Sequence, residues 1–269
     1  MKALFLDIDG TLLADDRTIP EQNTASIRKM LEKGHFVILA TGRPLHSAVM
    51  MAEDLGLTGR GSYIISYNGG VLYDTFNSKV IYRSPLKLET VRKVFHEAER
   101  RGIHIQTYND NEVLVEKRCD NDIVRMACTR MRIPFRILDS IDNLQEPPVK
   151  MLIADMHSQE PLLKLRDWIL SWAGDELSCY FSRDEFMEIV NRGLNKGSAL
   201  EKMAKLLGVD IKDTIAAGDH DNDIDMIRAA GTGCAMLNAT SGAKQAADYI
   251  TEKDNNQAGV SEIIEKFIT

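Results

Sequence analysis

The 269-residue chain lacks several features that mark common classes of protein. Its four cysteines are irregularly spaced and contain no Cys-x-x-Cys pair, which argues against a zinc site and a disulfide framework. No apolar run approaches the roughly 20 residues of a membrane-spanning helix, and a core strand stands where a signal peptide would have its apolar region. We therefore expect a cytoplasmic protein with reduced thiols and no membrane partner.

An excess of positive charge is also missing. The chain has 33 Lys and Arg residues against 40 Asp and Glu residues, a formal net charge of -7. Such a surface repels polyanions, so no nucleic-acid partner is expected. The hydrophobic content of 44% is that of an ordinary globular protein, and the length allows one large domain or two modest ones. The sequence leaves the oligomeric state open, and a homodimer is compatible with it.

Short apolar segments without alternation predict strands that are buried on both faces, as in a parallel sheet. These segments are 2–6, 35–40, 63–66 and 213–217. A helical pattern from Pro20 to Lys33 connects the first two, with Gly34 placed as its C-terminal cap. The fold class predicted from this order is α/β, built on a parallel sheet.

The pattern changes at about residue 84. Alternating segments then flank the turn-forming cluster Asn109-Asp110-Asn111, which predicts a hairpin and antiparallel strands among helices. The α/β pattern returns after Asn195. We therefore predict a core domain in two parts, 1–83 and 189–269, with an α+β insert at 84–188.

Two carboxylates stand directly after the first apolar segment, in the sequence Asp7-Ile8-Asp9-Gly10-Thr11. A pair of this kind at the carboxyl end of a buried strand can do two jobs on one phosphate. Asp7 can attack phosphorus, and Asp9 can carry the proton for the leaving group. The alternative is an Asx turn after a strand, because Asp and Gly are common turn formers.

Two further segments place polar groups where open parallel sheets bind ligands. Thr41, Gly42 and Arg43 follow the second apolar segment and offer a hydroxyl, an open backbone N–H and a cation to phosphate oxygens. A plain strand-to-helix turn uses the same residue types. Lys196 stands at the predicted start of a helix, although a lysine taken alone is usually solvated.

Four aspartates lie within the seven residues 219–225, where Asp219 ends a predicted strand and Asp223 follows one helical turn later. These charges repel one another unless a cation is near. An EF-hand loop is excluded because its sixth position is Ile224 rather than Gly. His220 is more often solvated than a metal ligand in such a place. Walker and dinucleotide-binding patterns are absent from the sequence.

The order Asp-x-Asp-Gly-Thr, Thr-Gly-Arg, Lys-Gly and Gly-Asp-x-x-Asn-Asp resembles the four motifs of the haloacid dehalogenase (HAD) superfamily of phosphatases. The segment 66–70, the large insert and Gly259-Val260 are similar to the Cof-type branch, in which a C2-type cap domain follows the second motif. The resemblance covers essentially the whole chain. It implies a Rossmann-like parallel-sheet HAD core with an inserted α+β cap domain at 84–188.

The resemblance also implies roles for individual residues. Asp7 would be the nucleophile and Asp9 the general acid and base, while Lys196 and Mg²⁺ would offset the repulsion between carboxylate and phosphate. The implied ligands of Mg²⁺ are the Asp7 carboxylate, the Asp9 backbone carbonyl, Asp219 and, directly or through water, Asp223. The residues implied to hold the phosphoryl oxygens are Thr41 and Gly42.

Several polar residues keep two interpretations. Asn68 contacts phosphate or substrate, or it is a turn residue before two glycines. Asn222, a candidate for phosphate binding, and Thr11 have equally open roles. Arg43 reaches the leaving group or is an ordinary exposed arginine. Three arginines of the predicted cap also keep two interpretations: each contacts a second anionic group of the substrate, or each is solvated. They are Arg118, Arg125 and Arg183.

The favoured function is a Mg²⁺-dependent phosphatase that removes phosphate from small phosphorylated metabolites, above all sugar phosphates, through an aspartyl-phosphate intermediate. The alternative enzyme is a phosphomutase similar to the phosphomannomutases, which isomerised product would identify. The alternative from another class is a phosphorylatable signalling module like a receiver domain. Receivers are much shorter and need no cap, and Asp9 would give the phosphoenzyme a route to rapid hydrolysis.

Overall fold

The computed structural model describes residues 1–119 and 121–268. Within these residues the chain forms two compact units. The first unit contains Met1–Gly42, Ala48–Tyr82 and the chain from Asn195 onward, and the second contains Arg43–Ser47 and Arg83–Leu194. No helix of the described residues is both long and apolar enough to cross a membrane.

The strands and helices are numbered in chain order. The strands are β1 Ala3–Leu6, β2 Phe36–Ala40, β3 Ser62–Ser66, β4 Val71–Asp74, β5 Lys79–Arg83, β6 His104–Tyr108, β7 Val113–Glu116, β8 Phe135–Leu138, β9 Met151–Ala154, β10 Leu177–Arg183, β11 Phe186–Asn191, β12 Thr214–Gly218, β13 Thr232–Ala235 and β14 Tyr249–Ile250. The α-helices are α1 Glu21–Glu32, α2 Leu45–Asp54, α3 Leu88–Arg100, α4 Asp122–Met131, α5 Glu160–Ala173, α6 Lys196–Leu207, α7 Ile224–Ala229, α8 Ser241–Ala246 and α9 Gly259–Phe267.

The first unit contains one sheet, whose described strands follow the order β14-β13-β12-β1-β2-β3-β4-β5. Neighbouring strands from β14 to β3 run parallel, and β4 is antiparallel to β3. Strands β1 and β12 are buried along their whole length, as their apolar sequences predict. The predicted α/β fold with a parallel-sheet core is confirmed.

Alternate residues of β1 enter two different apolar clusters. Leu4 and Leu6 belong to a cluster that includes residues of α1 and α9, whereas Ala3 and Phe5 belong to one that includes residues of α6. Successive side chains of a strand point to opposite faces of the sheet, so the two clusters cover both faces. This packing fixes β1 and therefore the residues that follow it at its carboxyl end.

The second unit contains another sheet, whose described strands follow the order β10-β11-β9-β6-β7-β8. The predicted hairpin is confirmed: β6 is antiparallel to β7, and Asn109 Oδ1 accepts hydrogen bonds from the amides of Asn111 and Glu112 at 2.9 and 2.8 Å. The sheet also contains a parallel pair that the sequence did not predict, formed by β7 and β8. Helix α4 lies in the long connection that such a pair requires.

The second unit extends beyond the predicted insert of 84–188. Strand β11 continues to Asn191, and the amide of Leu194 donates to the carbonyl oxygen of Asn191 at 3.2 Å. The sequence pattern places the return to the core at 189, inside this strand. The difference has a simple cause, because Ile189 and Val190 continue the apolar sequence of the strand and the turn-forming residues begin only at Asn191.

Candidate active site

The polar motifs of the first unit lie at one edge of its sheet. Asp7 follows β1, Thr41 follows β2 and Asp219 follows β12, and these three strands are parallel neighbours. The register aligns their ends, and the amide of Asp7 donates to the carbonyl oxygen of Ala217 at 3.0 Å. Adjacent strands lie roughly 4.8 Å apart, so the sheet brings these three motifs together although they are far apart in the sequence.

Lys196 joins the first and last motifs. Its ammonium donates to Asp7 Oδ1 at 2.5 Å and to Asp223 Oδ1 at 2.6 Å. The side chains of Lys196 and Asp223 are fully buried, and that of Asp7 is 9% exposed. A lysine buried to this degree is rare unless it is paired. The interpretation of Lys196 as an ordinary solvated lysine is therefore wrong.

The start of α6 fixes Lys196 as the first helical residue. Asn195 is the N-cap, and its side chain accepts a hydrogen bond from the amide of Ser198 at 2.7 Å. The Ser198 hydroxyl in turn accepts from the amide of Asn195 at 3.3 Å, which completes a capping box. This N-cap determines where α6 begins, and therefore the position on the helix from which the Lys196 side chain extends.

Gly10 and Thr11 position Asp219 across the sheet edge. The Thr11 hydroxyl donates to Asp219 Oδ1 at 2.8 Å. A Cβ atom at Gly10 would overlap the Asp219 carboxylate, and the φ of Gly10 is +84°, which favours glycine. The role of Thr11 is open in the sequence analysis. The structure shows that its hydroxyl orients the aspartate of the fourth motif.

Asp223 holds the loop that carries Asp219. Its Oδ2 accepts hydrogen bonds from the backbone amides of Asp219 and His220, both at 3.1 Å, while its Oδ1 accepts from Lys196. Carboxylate oxygens have further lone pairs, so Asp223 remains able to bind a cation. The carboxylate of this residue thus organises the loop and orients the lysine.

Burial and like charges determine the ionisation of this site. The pKa of Asp219 is raised to about 6, mainly by burial and also by the nearby Asp223 charge, while the hydrogen bond from Thr11 acts in the opposite direction. Burial also raises the pKa of Asp7 well above its usual value, against the attraction of Lys196. Burial lowers the pKa of Lys196, but the charges of Asp223 and Asp7 outweigh this effect and raise it. The lysine therefore stays an ammonium at neutral pH.

The geometry of the carboxylates fits a divalent cation. Asp7, Asp219 and Asp223 each offer one oxygen atom, and these atoms lie within 4.8 Å of one another. When ionised, the three carboxylates outnumber the one ammonium by two charges, which a divalent cation would balance. Hard oxygen donors suit Mg²⁺ and disfavour soft metals.

The second motif is held against the end of β3. The amide of Thr41 donates to the carbonyl oxygen of Ile65 at 2.8 Å, and the amide of Asn68 donates to the carbonyl oxygen of Thr41 at 2.9 Å. A Cβ atom at Gly42 would lie 3.2 Å from both terminal atoms of the Asn68 side chain. The structure therefore brings Thr41, Gly42 and Asn68 together beyond the ends of β2 and β3.

Three predicted residues have a different placement. Asp9 is exposed and forms an isolated bridge with Leu13 rather than belonging to the cluster of three carboxylates. Asn222 is exposed in the turn that precedes α7. Arg43 is half-buried and belongs to the second unit. The roles of these residues stay predictions.

One residue near the site, Asn238, belongs to none of the four motifs. Its side-chain amide donates to the carbonyl oxygen of Gly10 at 2.8 Å, and its Oδ1 accepts from the amide of Asn255 at 3.1 Å. The residue thereby holds the turn that contains Asp9 and Gly10. No local pattern could reveal this, because an exposed asparagine after β13 is an ordinary loop residue.

The three arginines of the predicted cap differ in their surroundings. Arg118 donates to the carbonyl oxygen of Ile103 at 3.0 Å and lies 3.6 Å from the carboxylate of Glu116. Arg125 lies over the ring of Phe135, with 5.5 Å between its guanidinium carbon and the ring centroid. Arg183 is exposed. Arg118 and Arg125 thus have structural partners within the second unit.

Comparison with known proteins gives matches along almost the whole chain. The family model of the haloacid dehalogenase-like hydrolases matches residues 4–264. Two Bacillus subtilis enzymes named 5-amino-6-(5-phospho-D-ribitylamino)uracil phosphatase are similar. YitU is 27% identical over 280 residues, which cover 99% of this chain and 97% of YitU. YcsE is 29% identical over 272 residues, which cover 100% of this chain and 96% of YcsE.

A solved structure is similar as well. A haloacid dehalogenase-like hydrolase from Bacteroides thetaiotaomicron has 30% sequence identity and a TM-score of 0.89, with 98% of each chain covered. The family match includes the segments that contain Asp7, Thr41, Lys196 and Asp219, so the resemblance drawn from the four motifs is confirmed. The chain belongs to the Cof-type haloacid dehalogenase-like hydrolases, enzymes whose relatives are named phosphatases.

Proposed function

We propose that the protein is a Mg²⁺-dependent hydrolase that releases phosphate from small phosphorylated metabolites through an aspartyl-phosphate intermediate. The observation that carries this proposal is the buried Lys196 ammonium between Asp7 and Asp223. A charged lysine in contact with a carboxylate at the end of a strand is suited to hold that carboxylate in a fixed orientation. The residue held in this way is the proposed nucleophile, Asp7.

Asp7 attacks the phosphorus atom of the ester in line with the leaving oxygen. The new bond joins an Asp7 carboxylate oxygen to phosphorus, the ester P–O bond breaks, and Asp9 gives its proton to the departing alkoxide. Asp9 then takes a proton from the water that attacks the phosphorus of the aspartyl phosphate. Inorganic phosphate leaves, and Asp7 is regenerated. The exposed position of Asp9 supports this role, because both the leaving group and water must reach it.

The remaining residues of the site are proposed to bind the substrate and to offset its negative charge. Lys196 orients Asp7, and the proposed contacts to the phosphoryl oxygens come from the Thr41 hydroxyl, the Gly42 amide and the side chains of Asn68 and Asn222. Arg43 is proposed to contact the leaving group. Mg²⁺ would be held by the carboxylates of Asp7, Asp219 and Asp223 and by the Asp9 carbonyl, and when bound it would offset the repulsion between Asp7 and the phosphate.

The proposed substrates are phosphate esters of sugars and sugar alcohols. Support comes from the names of YitU and YcsE, whose substrate carries its phosphate on a ribityl chain. The proposed setting is the cytoplasm, which the four free thiols of the chain support.

A panel of phosphate esters tests the proposed function. We expect the purified protein to release inorganic phosphate from sugar and sugar-alcohol phosphates in the presence of Mg²⁺, and to lose this activity when EDTA is added. Phosphate release is measured directly, and the sugar product is analysed by chromatography. Folded protein that releases no phosphate from any ester would contradict the proposal, and isomerised sugar phosphate would identify a phosphomutase instead.

The affinity for Mg²⁺ is expected to fall in acid. Asp219 must be ionised to bind the cation, and its pKa of about 6 leaves most of it protonated at pH 5. We expect the dissociation constant to be at least about tenfold larger at pH 5 than at pH 7.5, since one pKa unit corresponds to a factor of ten. Isothermal titration calorimetry measures this change. The variant Thr11→Val removes the hydrogen bond that lowers the pKa of Asp219. As the pH is lowered, the affinity of this variant for Mg²⁺ should therefore begin to fall at a higher pH than that of the wild-type protein. Equal affinities at both pH values would contradict this assignment.

A further inference from the structure

The turn between β3 and β4 has an unusual backbone. Tyr67, Asn68 and Gly69 have φ values of +53°, +53° and +114°, and Gly70 returns to an ordinary helical conformation. All four residues are buried, although turns normally lie on the surface. Two consecutive non-glycine residues in the left-handed region are strained, and such strain persists only where the surroundings impose it. We call residues 67–70 the buried turn.

One side of the buried turn contacts the proposed phosphate-binding segment. The amide of Asn68 donates to the carbonyl oxygen of Thr41 at 2.9 Å, and the Asn68 side chain lies close against Gly42. Both contacts are made by a residue in the left-handed conformation. The buried turn thereby fixes where Thr41 and Gly42 lie.

The other side of the buried turn contacts the start of α6. A Cβ atom at Gly69 would lie 2.8 Å from the carbonyl oxygen of Asn195 and 3.0 Å from the Cβ atom of Ala199. That carbonyl oxygen accepts the first hydrogen bond of the helix, from the amide of Ala199 at 3.2 Å. Only a residue without a side chain allows the backbone of the turn to approach the helix this closely.

On its opposite side, the first turn of α6 packs tightly against α7. A Cβ atom at Gly197 would overlap the carbonyl oxygen of Asp225 in α7, so the helix start has no room to move in that direction. Lys196 lies between these two contacts, and its ammonium is held within 2.6 Å of two carboxylates. A side chain added at Gly69 would therefore press on a helix start that cannot shift away as a body, and we infer that the first turn of α6, which carries Lys196, is distorted instead.

We propose that Gly69 is a positioning residue, and that the buried turn acts as a spacer that sets Lys196 relative to the Thr41-Gly42 segment. The turn makes contact with both, so one short element determines the distance between the cation that orients Asp7 and the groups proposed to hold the phosphoryl oxygens. The kinetic part of this proposal rests on the proposed phosphatase function, whereas the placement of Lys196 does not.

The variant Gly69→Ala tests the proposal through kinetics. We expect kcat to fall by roughly 10- to 100-fold, because a displacement of about 1 Å in a catalytic group has effects of this size. The KM should change much less, since substrate contacts other than the phosphoryl group are untouched. The matched control is Gly34→Ala, which replaces another left-handed glycine, with φ +79° but with nothing within 4 Å of the added Cβ atom. An equal loss of kcat in both variants would overturn the proposal.

Competitive acylation of lysines supplies a readout that needs no activity. Lys196 is fully buried and Lys202 is exposed on the same helix, so wild-type protein should react at Lys202 and be protected at Lys196. We expect Gly69→Ala to raise the labelling of Lys196 relative to Lys202 by about tenfold or more, through local opening of the helix start. Gly34→Ala should leave the ratio unchanged, and unchanged protection of Lys196 in Gly69→Ala would overturn the proposal.

A second variant covers the case in which Gly69→Ala does not fold. Ala199→Val fills the same contact from the helix side and leaves the backbone of the buried turn unaltered. It should produce the same increase in labelling at Lys196 and the same selective loss of kcat, and normal values of both would overturn the proposal. If wild-type protein hydrolyses no ester, the proposed function fails, while the labelling of Lys196 still decides whether Gly69 positions it.

Discussion

Asp7→Asn is expected to lower kcat by at least about 10³-fold, since removal of a nucleophile from a set of cooperating catalytic groups has effects of this order or larger. The amide keeps the shape of the side chain but cannot attack phosphorus in the same way. Lys196 keeps a carboxylate partner in Asp223, and the site loses one of three mutually repelling carboxylates. The free energy of unfolding should therefore change little.

Steady-state kinetics and urea unfolding check these two expectations on the same preparation. Asp210→Asn is the matched control, because Asp210 is an exposed aspartate of the same unit with a side chain that is 76% exposed. It should keep full activity. If Asp7→Asn retains more than a few per cent of the wild-type kcat, Asp7 is not the nucleophile.

Lys196→Met is expected to reduce both stability and activity. The methionine fills a similar volume but leaves the buried carboxylates of Asp7 and Asp223 without their counterion. Removal of one partner from a buried ion pair costs about 3–5 kcal/mol, and the free energy of unfolding should fall by this amount at neutral pH. Activity should fall as well, because Asp7 loses the group that orients it.

The control for this variant lies on the same helix. Lys205→Met changes an exposed lysine of α6, and exposed substitutions typically alter stability by no more than about 0.5 kcal/mol. Urea unfolding at fixed Mg²⁺ concentration compares the two variants. A loss of stability in Lys196→Met no larger than that in Lys205→Met would show that Lys196 does not neutralise the buried carboxylates.

The core of the fold could be predicted because its signals are local. The fully buried strands β1 and β12 have uninterrupted apolar sequences, and α1 shows a helical pattern that ends near Gly34. Strands β8 and β10 were not predicted, because their burial is incomplete and irregular and their sequences lack a clean period of two. Their positions depend on pairing with other strands of the second unit.

The candidate site could be predicted only through its motifs. Each of Asp7, Lys196 and Asp219 alone has an ordinary structural explanation, and the combination is what singles them out. The contacts that assemble the site could not be predicted, because they join distant parts of the chain. Thr11 and Asp219 are 208 positions apart, and Gly10 and Asn238 are 228 positions apart. Such contacts exist only after the parallel sheet has aligned the ends of its strands.

The central claim, that Asp7 carries the phosphoryl group during turnover, can be tested by trapping the intermediate. Protein mixed rapidly with a phosphate ester and Mg²⁺ is quenched with borohydride, which reduces an aspartyl phosphate to homoserine, and its peptides are analysed by mass spectrometry. We expect homoserine at position 7, dependent on both the ester and Mg²⁺. Active protein that carries no homoserine at position 7, or carries it at another aspartate, would contradict the assignment of Asp7 as the nucleophile.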